Sequence, residues 1–119
     1  MTLRIFSLED DIWSIAPEGR VDLPAARAIE DALLEMCDQL RSKFVVDFSA
    51  VPYIGSSGLK ALLSGVRRAR TLGGDVRLAA MSERVREVFD MAGFDQVFAI
   101  HPTAAEAAET FRRVEREGR

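Results

Sequence analysis

The sequence predicts an α/β domain with a mostly parallel mixed sheet of about four to five strands and about four helices. Short apolar runs alternate with segments of helical periodicity along most of the 119 residues, which is typical of β-α-β units. The runs in the middle of the chain, such as KFVVDF, are almost continuously apolar. Such runs are typical of parallel strands whose two faces are both covered by helices.

The first predicted element is a β-hairpin. LRIFSL (3–8) and IWSIA (12–16) are rich in β-branched and aromatic residues, and they flank a polar Glu-Asp-Asp turn. The following PEGRVDLPAA is predicted to be a loop because prolines and glycine interrupt it. Apolar residues then recur at helical spacing, which predicts the first helix over about 25–41.

Strands and helices alternate over the rest of the chain. The predicted strands are KFVVDFSAV (43–51), DVRLAAM (75–81) and QVFAI (96–100). Helix-end signals lie between and after them: Gly73-Gly74 ends the second helix, Ser82 caps the third, Gly93 ends it, and Thr103 with Glu106 forms a capping box for the fourth. These signals complete the order β-β-α-β-α-β-α-β-α.

Composition limits the classes of function. The net charge of −3 and the pI near 5.2 argue against nucleic acid or an anionic membrane as the main partner. No apolar stretch approaches the roughly 20 residues that cross a bilayer, and no signal peptide is recognisable. The single Cys37 fits a reducing compartment. We therefore expect a single cytoplasmic domain over 1–119, without membrane insertion and with a frayed end at about 115–119.

The stretch Gly55-Ser56-Ser57-Gly58 raises the question of an active site. It is one residue too short for the G-x-S-x-G elbow of hydrolases, and His101 is the only histidine that could activate a serine. A phosphate-binding loop would need Gly-Lys where this chain has Gly-Leu, and no metal-ligand spacing is present. The sequence predicts no catalytic residue, no cofactor and no metal, so the protein is not expected to be an enzyme.

Two interpretations of the serine pair remain. One serine could cap the helix that follows, which would leave the second hydroxyl unexplained. Alternatively, a serine is phosphorylated there, since the positive end of the helix dipole tolerates a phosphate. Phosphorylation would then change binding and leave the fold intact. The nearby basic run of Arg67, Arg68 and Arg70 is interpreted as a solvated helix end in preference to an anion site.

The chain also resembles a known family. VVDFSAVPYIGSSGLKALL and GGDVRLAAMSERVREVFDMAGFDQVFAI strongly resemble the STAS domain, named for sulfate transporters and anti-sigma factor antagonists. The earlier PEGRVDLPAA is similar to the family's G-x-[LV]-D loop, so the resemblance covers about residues 5 to 112. It implies the STAS-like fold of an anti-sigma factor antagonist.

The resemblance implies a partner-switching regulator of transcription. An unphosphorylated antagonist binds an anti-sigma factor that has serine kinase activity, phosphorylation releases it, and a serine phosphatase resets it. The phosphoacceptor position matches Ser56, ahead of Ser57, although Gly55 stands where antagonists often have Asp. The implied partner-binding residues are Asp22, Asp47, Gly55, Ser56, Ser57, Gly58 and Leu59. Asp22 and Asp47 either flank the phosphosite or are held by backbone N–H groups.

Other functions within the family are kept as alternatives. One is a STAS-domain regulatory subunit of a lipid-type ABC transporter, and another is a scaffold STAS protein in stress signalling. Nucleotide binding has no recognisable pocket in the sequence. Trp13, Phe44 and Phe98 are candidates for the core or for the interface of a weak homodimer.

Overall fold

The computed structural model describes residues 2–117, with side chains as far as residue 113. Its elements in chain order are β1 (Thr2–Ser7), β2 (Ile12–Glu18), α1 (Leu23–Asp38), β3 (Lys43–Asp47), α2 (Ser56–Thr71), β4 (Asp75–Ala79), α3 (Glu83–Met91), a 3₁₀ turn (Phe94–Gln96), β5 (Ile100–His101) and α4 (Ala104–Glu117). The predicted frayed end at 115–119 lies partly outside the described residues and stays a prediction.

The strands of the described residues form one five-stranded sheet in the order β1-β2-β3-β4-β5. β1 is antiparallel to β2, and every later pair is parallel. The hairpin closes through Asp10 and Asp11, whose φ angles of 63° and 59° match the two central residues of a type I′ turn. The predicted hairpin and the mostly parallel sheet are therefore confirmed.

Helices cover both faces of this sheet. α1, α2 and α3 pack on one face with Phe44 and Val46, while α4 packs on the other with Val45. All three of these β3 residues are fully buried. The continuous apolar run in β3 follows from this arrangement, because successive side chains of a strand point to opposite faces and both faces are core.

The predicted strand QVFAI is wrong for most of its length. Phe94–Gln96 forms a 3₁₀ turn, and only Ile100–His101 pairs with β4. Phe98 instead packs edge-on against Phe89, with ring centroids 6.3 Å apart, and is buried. Packing in this aromatic cluster therefore prevents Phe98 from pairing as part of the strand. Because Phe98 is buried, it belongs to the core of the chain.

The start of α1 also differs from the prediction. The helix begins at Leu23, because the Asp22 carboxylate accepts a hydrogen bond from the amide of Ala25 and caps it. Pro24, which indicated a loop, is the second helical residue, where a missing N–H costs nothing. This places Asp22 at the junction of the β2–α1 loop and the helix.

Gly73 and Gly74 end α2 for two different reasons. Gly73 has a φ of 83°, the left-handed conformation that commonly terminates a helix. Gly74 has no unusual φ, but a Cβ there would lie 1.8 Å from the carbonyl oxygen of Ser42. The second glycine is thus required by the close passage of the chain that leads into β3.

The glycine pair gives a ranked stability prediction. Gly73→Ala should lower the free energy of unfolding by about 1–2 kcal/mol, the cost of a left-handed alanine. Gly74→Ala should be far more damaging, because the methyl group meets backbone and cannot be accommodated by a rotamer change. Urea unfolding of both variants measures the ranking. Equal stabilities, or a more stable Gly74→Ala protein, would contradict it.

Candidate functional site

The two serines are the first residues of α2, and neither caps it. Gly55 is the N-cap, with φ −96° and ψ 176°, and its position offers no side-chain hydrogen bond. Ser56 is exposed and Ser57 is half-buried. Neither hydroxyl makes a hydrogen bond within the described residues. The capping interpretation is therefore wrong for both serines, and the Ser56 hydroxyl is exposed without a hydrogen-bond partner within the described residues.

Two loops hold this helix start in place. Val21 pairs with Ile54 in an isolated parallel bridge. The amide of Val21 donates to the carbonyl of Tyr53 at 2.9 Å, and the amide of Gly55 donates to the carbonyl of Val21 at 3.0 Å. The bridge joins the loops that follow β2 and β3, so it holds Val21, the residue before Asp22, against the start of α2.

Gly58 allows the first turn of α2 to pack closely on Val21 and Ile54. A Cβ on this residue would lie 2.6 Å from Cγ1 of Ile54 and 2.9 Å from Cγ1 of Val21. Both of those side chains are buried, and Leu59 beside them is buried as well. The predicted partner-binding residues Gly58 and Leu59 therefore face the core, where they seat the first turn of α2 directly on the bridge.

The two predicted aspartates lie on different sides of the sheet. Asp22 directly follows Val21 of the bridge, and its carboxylate caps α1 by accepting a hydrogen bond from the amide of Ala25 at 3.3 Å. Asp47 accepts from the amide of Ser49 at 2.9 Å. Its side chain lines the groove between the sheet and α4, together with Ser14 and Arg112. Both carboxylates are held by backbone N–H groups, and of the two only Asp22 adjoins the bridge that supports the start of α2.

Arg20 and Tyr53 complete the surface around the serines, although the sequence analysis did not single them out. The guanidinium of Arg20 lies 4.5 Å from the centre of the Tyr53 ring. Tyr53 is 40% exposed, and its hydroxyl is 3.3 Å from where a Cβ on Gly55 would be. Arg20 and Tyr53 are far apart in sequence, so no local pattern predicts their contact. They meet because the two loops pair.

His101 lies elsewhere, at the end of β5. It lines a separate cavity of about 220 Å³ with Met81, Arg86 and Pro102. Its Nε2 atom is enclosed and has no hydrogen-bond partner within the described residues. The residue as a whole is partly exposed. The cavity contains neither serine, so the described residues do not assemble a serine–histidine pair.

Metal and membrane sites have equally little support in the described part of the chain. No group of three or more His, Cys, Asp or Glu residues is placed to hold a metal ion there. Within the same residues, every helix is too short or too polar to cross a bilayer. The free Cys37 is buried in the core, and burial raises the pKa of its thiol.

Comparisons with known proteins identify the family. The family model for the STAS domain matches residues 8–107 of this chain. Anti-sigma-F factor antagonist RsfB of Mycobacterium tuberculosis is 31% identical over 91 residues, which are 75% of this chain and 72% of that protein. An anti-sigma factor antagonist from Mycobacterium paratuberculosis has a crystal structure with a TM-score of 0.83 and 26% identity, covering 93% of each chain.

A further solved structure shares the fold. SpoIIAA of Bacillus in its phosphorylated form has a TM-score of 0.75 and 20% identity, covering 92% of this chain and 99% of that one. The chain belongs to the STAS domain family, and the fold class and the resemblance to anti-sigma factor antagonists are confirmed. This family is regulatory, and the match indicates no class of enzyme.

The enclosed His101 gives a pH prediction. Burial first, and then the positive charge of Arg77, lower the pKa of His101 from its usual 6.5, and Glu106 only partly opposes them. The unfolded chain therefore takes up this proton first as the pH falls. The contribution of neutral His101 to the free energy of unfolding should be fully present above about pH 6.5. It should decrease as the pH falls from there toward the lower pKa of the folded state.

The measurement is urea unfolding of the wild type and of His101→Gln at about pH 7.5 and about pH 5.5. The wild type should lose more stability between the two values than the variant, which carries no titrating group at this position. Equal losses in the two proteins would contradict the assignment.

Proposed function

We propose that this protein is an anti-sigma factor antagonist that binds an anti-sigma factor with serine kinase activity, and that phosphorylation of Ser56 releases it. The observation that carries the proposal is the exposed Ser56 hydroxyl at the first position of an α-helix that is capped by glycine. Relatives named as anti-sigma factor antagonists support the class of partner. The phosphorylated form of SpoIIAA, a protein of the same fold, supports the modification.

The helix start suits a phosphate. The amides of Ser56 and Ser57 have no hydrogen-bond partner within the described residues. A phosphoserine carries a charge of about −1.5 to −2 and three acceptor oxygens. At a helix N-terminus this charge meets the positive end of the dipole, which stabilises it. The modification is therefore compatible with the fold and acts at the surface.

The phosphoryl transfer uses groups of both partners. The Oγ atom of Ser56 attacks the γ-phosphorus of ATP bound to the kinase, and the bond from that phosphorus to the bridging oxygen breaks. ADP leaves, and the hydroxyl proton passes to a base of the kinase. A serine phosphatase hydrolyses the phosphoserine and restores the hydroxyl. Because the cycle uses ATP and acts on sigma factors, the cytoplasm is the proposed location.

The proposed binding surface surrounds Ser56. Asp22 and Tyr53 on the two paired loops are exposed, and Ser57 is partly exposed. Gly55 leaves room for the Tyr53 side chain at the start of the helix. Gly58 and Leu59 support the surface from the core. Asp47 contributes at a distance, because its hydrogen bond to the amide of Ser49 orders the loop that leads from β3 toward α2.

The test combines phosphate mapping with binding. Each serine-kinase anti-sigma factor of the same organism is purified and incubated with this protein and ATP, and phosphate is located by mass spectrometry. We expect phosphate on Ser56 in the wild type and in the matched control Ser57→Ala, and none in Ser56→Ala. Ser56→Asp should weaken binding by about tenfold or more, since it places charge in the interface.

Phosphate confined to Ser57, or unchanged binding by Ser56→Asp, would contradict the proposal. Unchanged binding together with association to a permease or its ATPase would instead favour the transporter-subunit alternative.

A further inference from the structure

A groove of about 510 Å³ lies between α1 and α2 on the helical face of the domain. Most of its lining comes from α2, and α1 adds one leucine. The lining residues are Leu34, Lys60, Leu63, Ser64, Arg67, Arg68 and Thr71. Neither the proposed phosphorylation nor the fold itself accounts for this groove.

The groove lies on the same side of α2 as Ser56. Residues of a helix advance by about 100° each, so positions four, seven, eleven and fifteen places after Ser56 return to nearly the same face. Those positions are Lys60, Leu63, Arg67 and Thr71, and all four line the groove. The exposed hydroxyl therefore stands at the head of the stripe of side chains that forms the α2 wall.

The side chains that line the groove are positively charged, whereas the protein as a whole is negatively charged. The protein carries a net charge of −3, yet the lining has three cationic side chains and no carboxylate. Arg68 is paired with Asp38 at 2.7 Å. Lys60 is exposed, and neither it nor Arg67 has an ion-pair partner within the described residues. Two uncompensated positive charges thus face an open groove.

Apolar surface accompanies these charges. Leu34 and Leu63 are partly exposed where they line the groove, and Leu63 also packs against the core. The serine and threonine of the lining add hydrogen-bonding groups. A groove with an apolar floor and a cationic wall suits an amphipathic helix that places leucine-like side chains on the floor and carboxylates on the wall.

We propose that this groove binds an acidic amphipathic helix of the anti-sigma factor, and that Lys60 links the groove to the phosphorylation state of Ser56. The inference rests on the proposed function, and it names the chemistry of the partner and the route of its release. In the unmodified protein, Lys60 and Arg67 pair with carboxylates of the bound helix. The partner's kinase site then lies at the head of the groove, beside Ser56.

Phosphorylation removes this complementarity. A phosphate on Ser56 stands one helical turn before Lys60, and an anion four residues ahead of a cation is the favourable orientation of such a pair. Lys60 then pairs with the phosphate and no longer pairs with a carboxylate of the bound helix. The remaining negative charge lies at the head of the groove, where it repels an acidic helix.

The first test reverses one charge in the groove and one outside it. Arg67→Glu should weaken binding of the anti-sigma factor identified above by about tenfold or more and should reduce the salt dependence of the affinity. Arg84→Glu is the matched control, because Arg84 is an exposed arginine of α3 without an ion-pair partner within the described residues. This control should bind within about twofold of the wild type.

The second test probes the apolar floor. Leu34→Ala should weaken binding by about tenfold, the loss expected for one buried leucine side chain. Leu72→Ala is its control, since Leu72 is 38% exposed at the end of α2 and does not line the groove. Melting temperatures of both variants separate lost binding from lost folding.

The third test concerns Lys60. The ratio of affinities before and after phosphorylation of Ser56 should be smaller in Lys60→Gln than in the wild type, by about threefold or more. A merely structural role for Lys60 would leave this ratio unchanged.

The outcomes distinguish this inference from the proposed function. If the wild type binds and is released by phosphorylation but Arg67→Glu behaves like Arg84→Glu, the groove is not the docking site and the proposed function stands. If Lys60→Gln keeps the wild-type ratio, the link through Lys60 is wrong. If the wild type binds no anti-sigma factor, the proposed function fails and this inference fails with it.

Discussion

The parallel bridge between Val21 and Ile54 is the contact on which the site depends. It extends the pairing of β2 and β3 beyond the strands and locks together the two loops that follow them. The first turn of α2 then packs on these two residues, so closely that position 58 has room only for glycine. The location of Ser56 is consequently fixed by the sheet and does not depend on the serine side chains.

This arrangement separates the exposed Ser56 hydroxyl from the interactions that stabilise the helix. Glycine at the N-cap leaves the start of α2 without a side-chain cap, so Ser56 contributes no capping hydrogen bond that phosphorylation would break. The free amides of the first turn and the helix dipole accommodate added negative charge. In the proposed mechanism the same charge lies at the head of the cationic groove, where it repels the acidic helix of the partner. In the proposed switch, the fold and the signal thus depend on different groups within one helical turn.

Local sequence patterns predicted most of the architecture. The helices follow from apolar spacing, and the hydroxyls of Ser82 and Thr103 cap their helices by accepting hydrogen bonds from the amides of Val85 and Glu106. Within the described residues, the reciprocal bond from the Glu106 side chain that would complete the predicted capping box does not form. The start of β5 was predicted too early, because Val97 and Phe98 have strand-like side chains, whereas the packing of Phe98 against Phe89 is a long-range effect. Local sequence does not record which distant side chains will meet.

The site was predicted only in part, because it too depends on contacts between distant segments. The serine pair is recognisable in sequence because it lies between glycines at the start of a helical pattern. Its neighbours Arg20 and Asp22 come from another loop, and the groove needs the meeting of α1 with α2. The identity of the N-cap also depends on the loop pairing, which selects Gly55 over either serine. Tertiary contacts therefore determine what the motif can do.

The most direct test of this account is the stability of the protein with phosphoserine at position 56, measured by urea unfolding beside the unmodified chain. The account predicts that phosphorylation leaves the free energy of unfolding unchanged or raises it by up to about 1 kcal/mol, since the charge meets the helix dipole and free amides. A loss of more than about 1 kcal/mol would show that phosphorylation disrupts the start of α2, and it would contradict a signal that acts on binding alone.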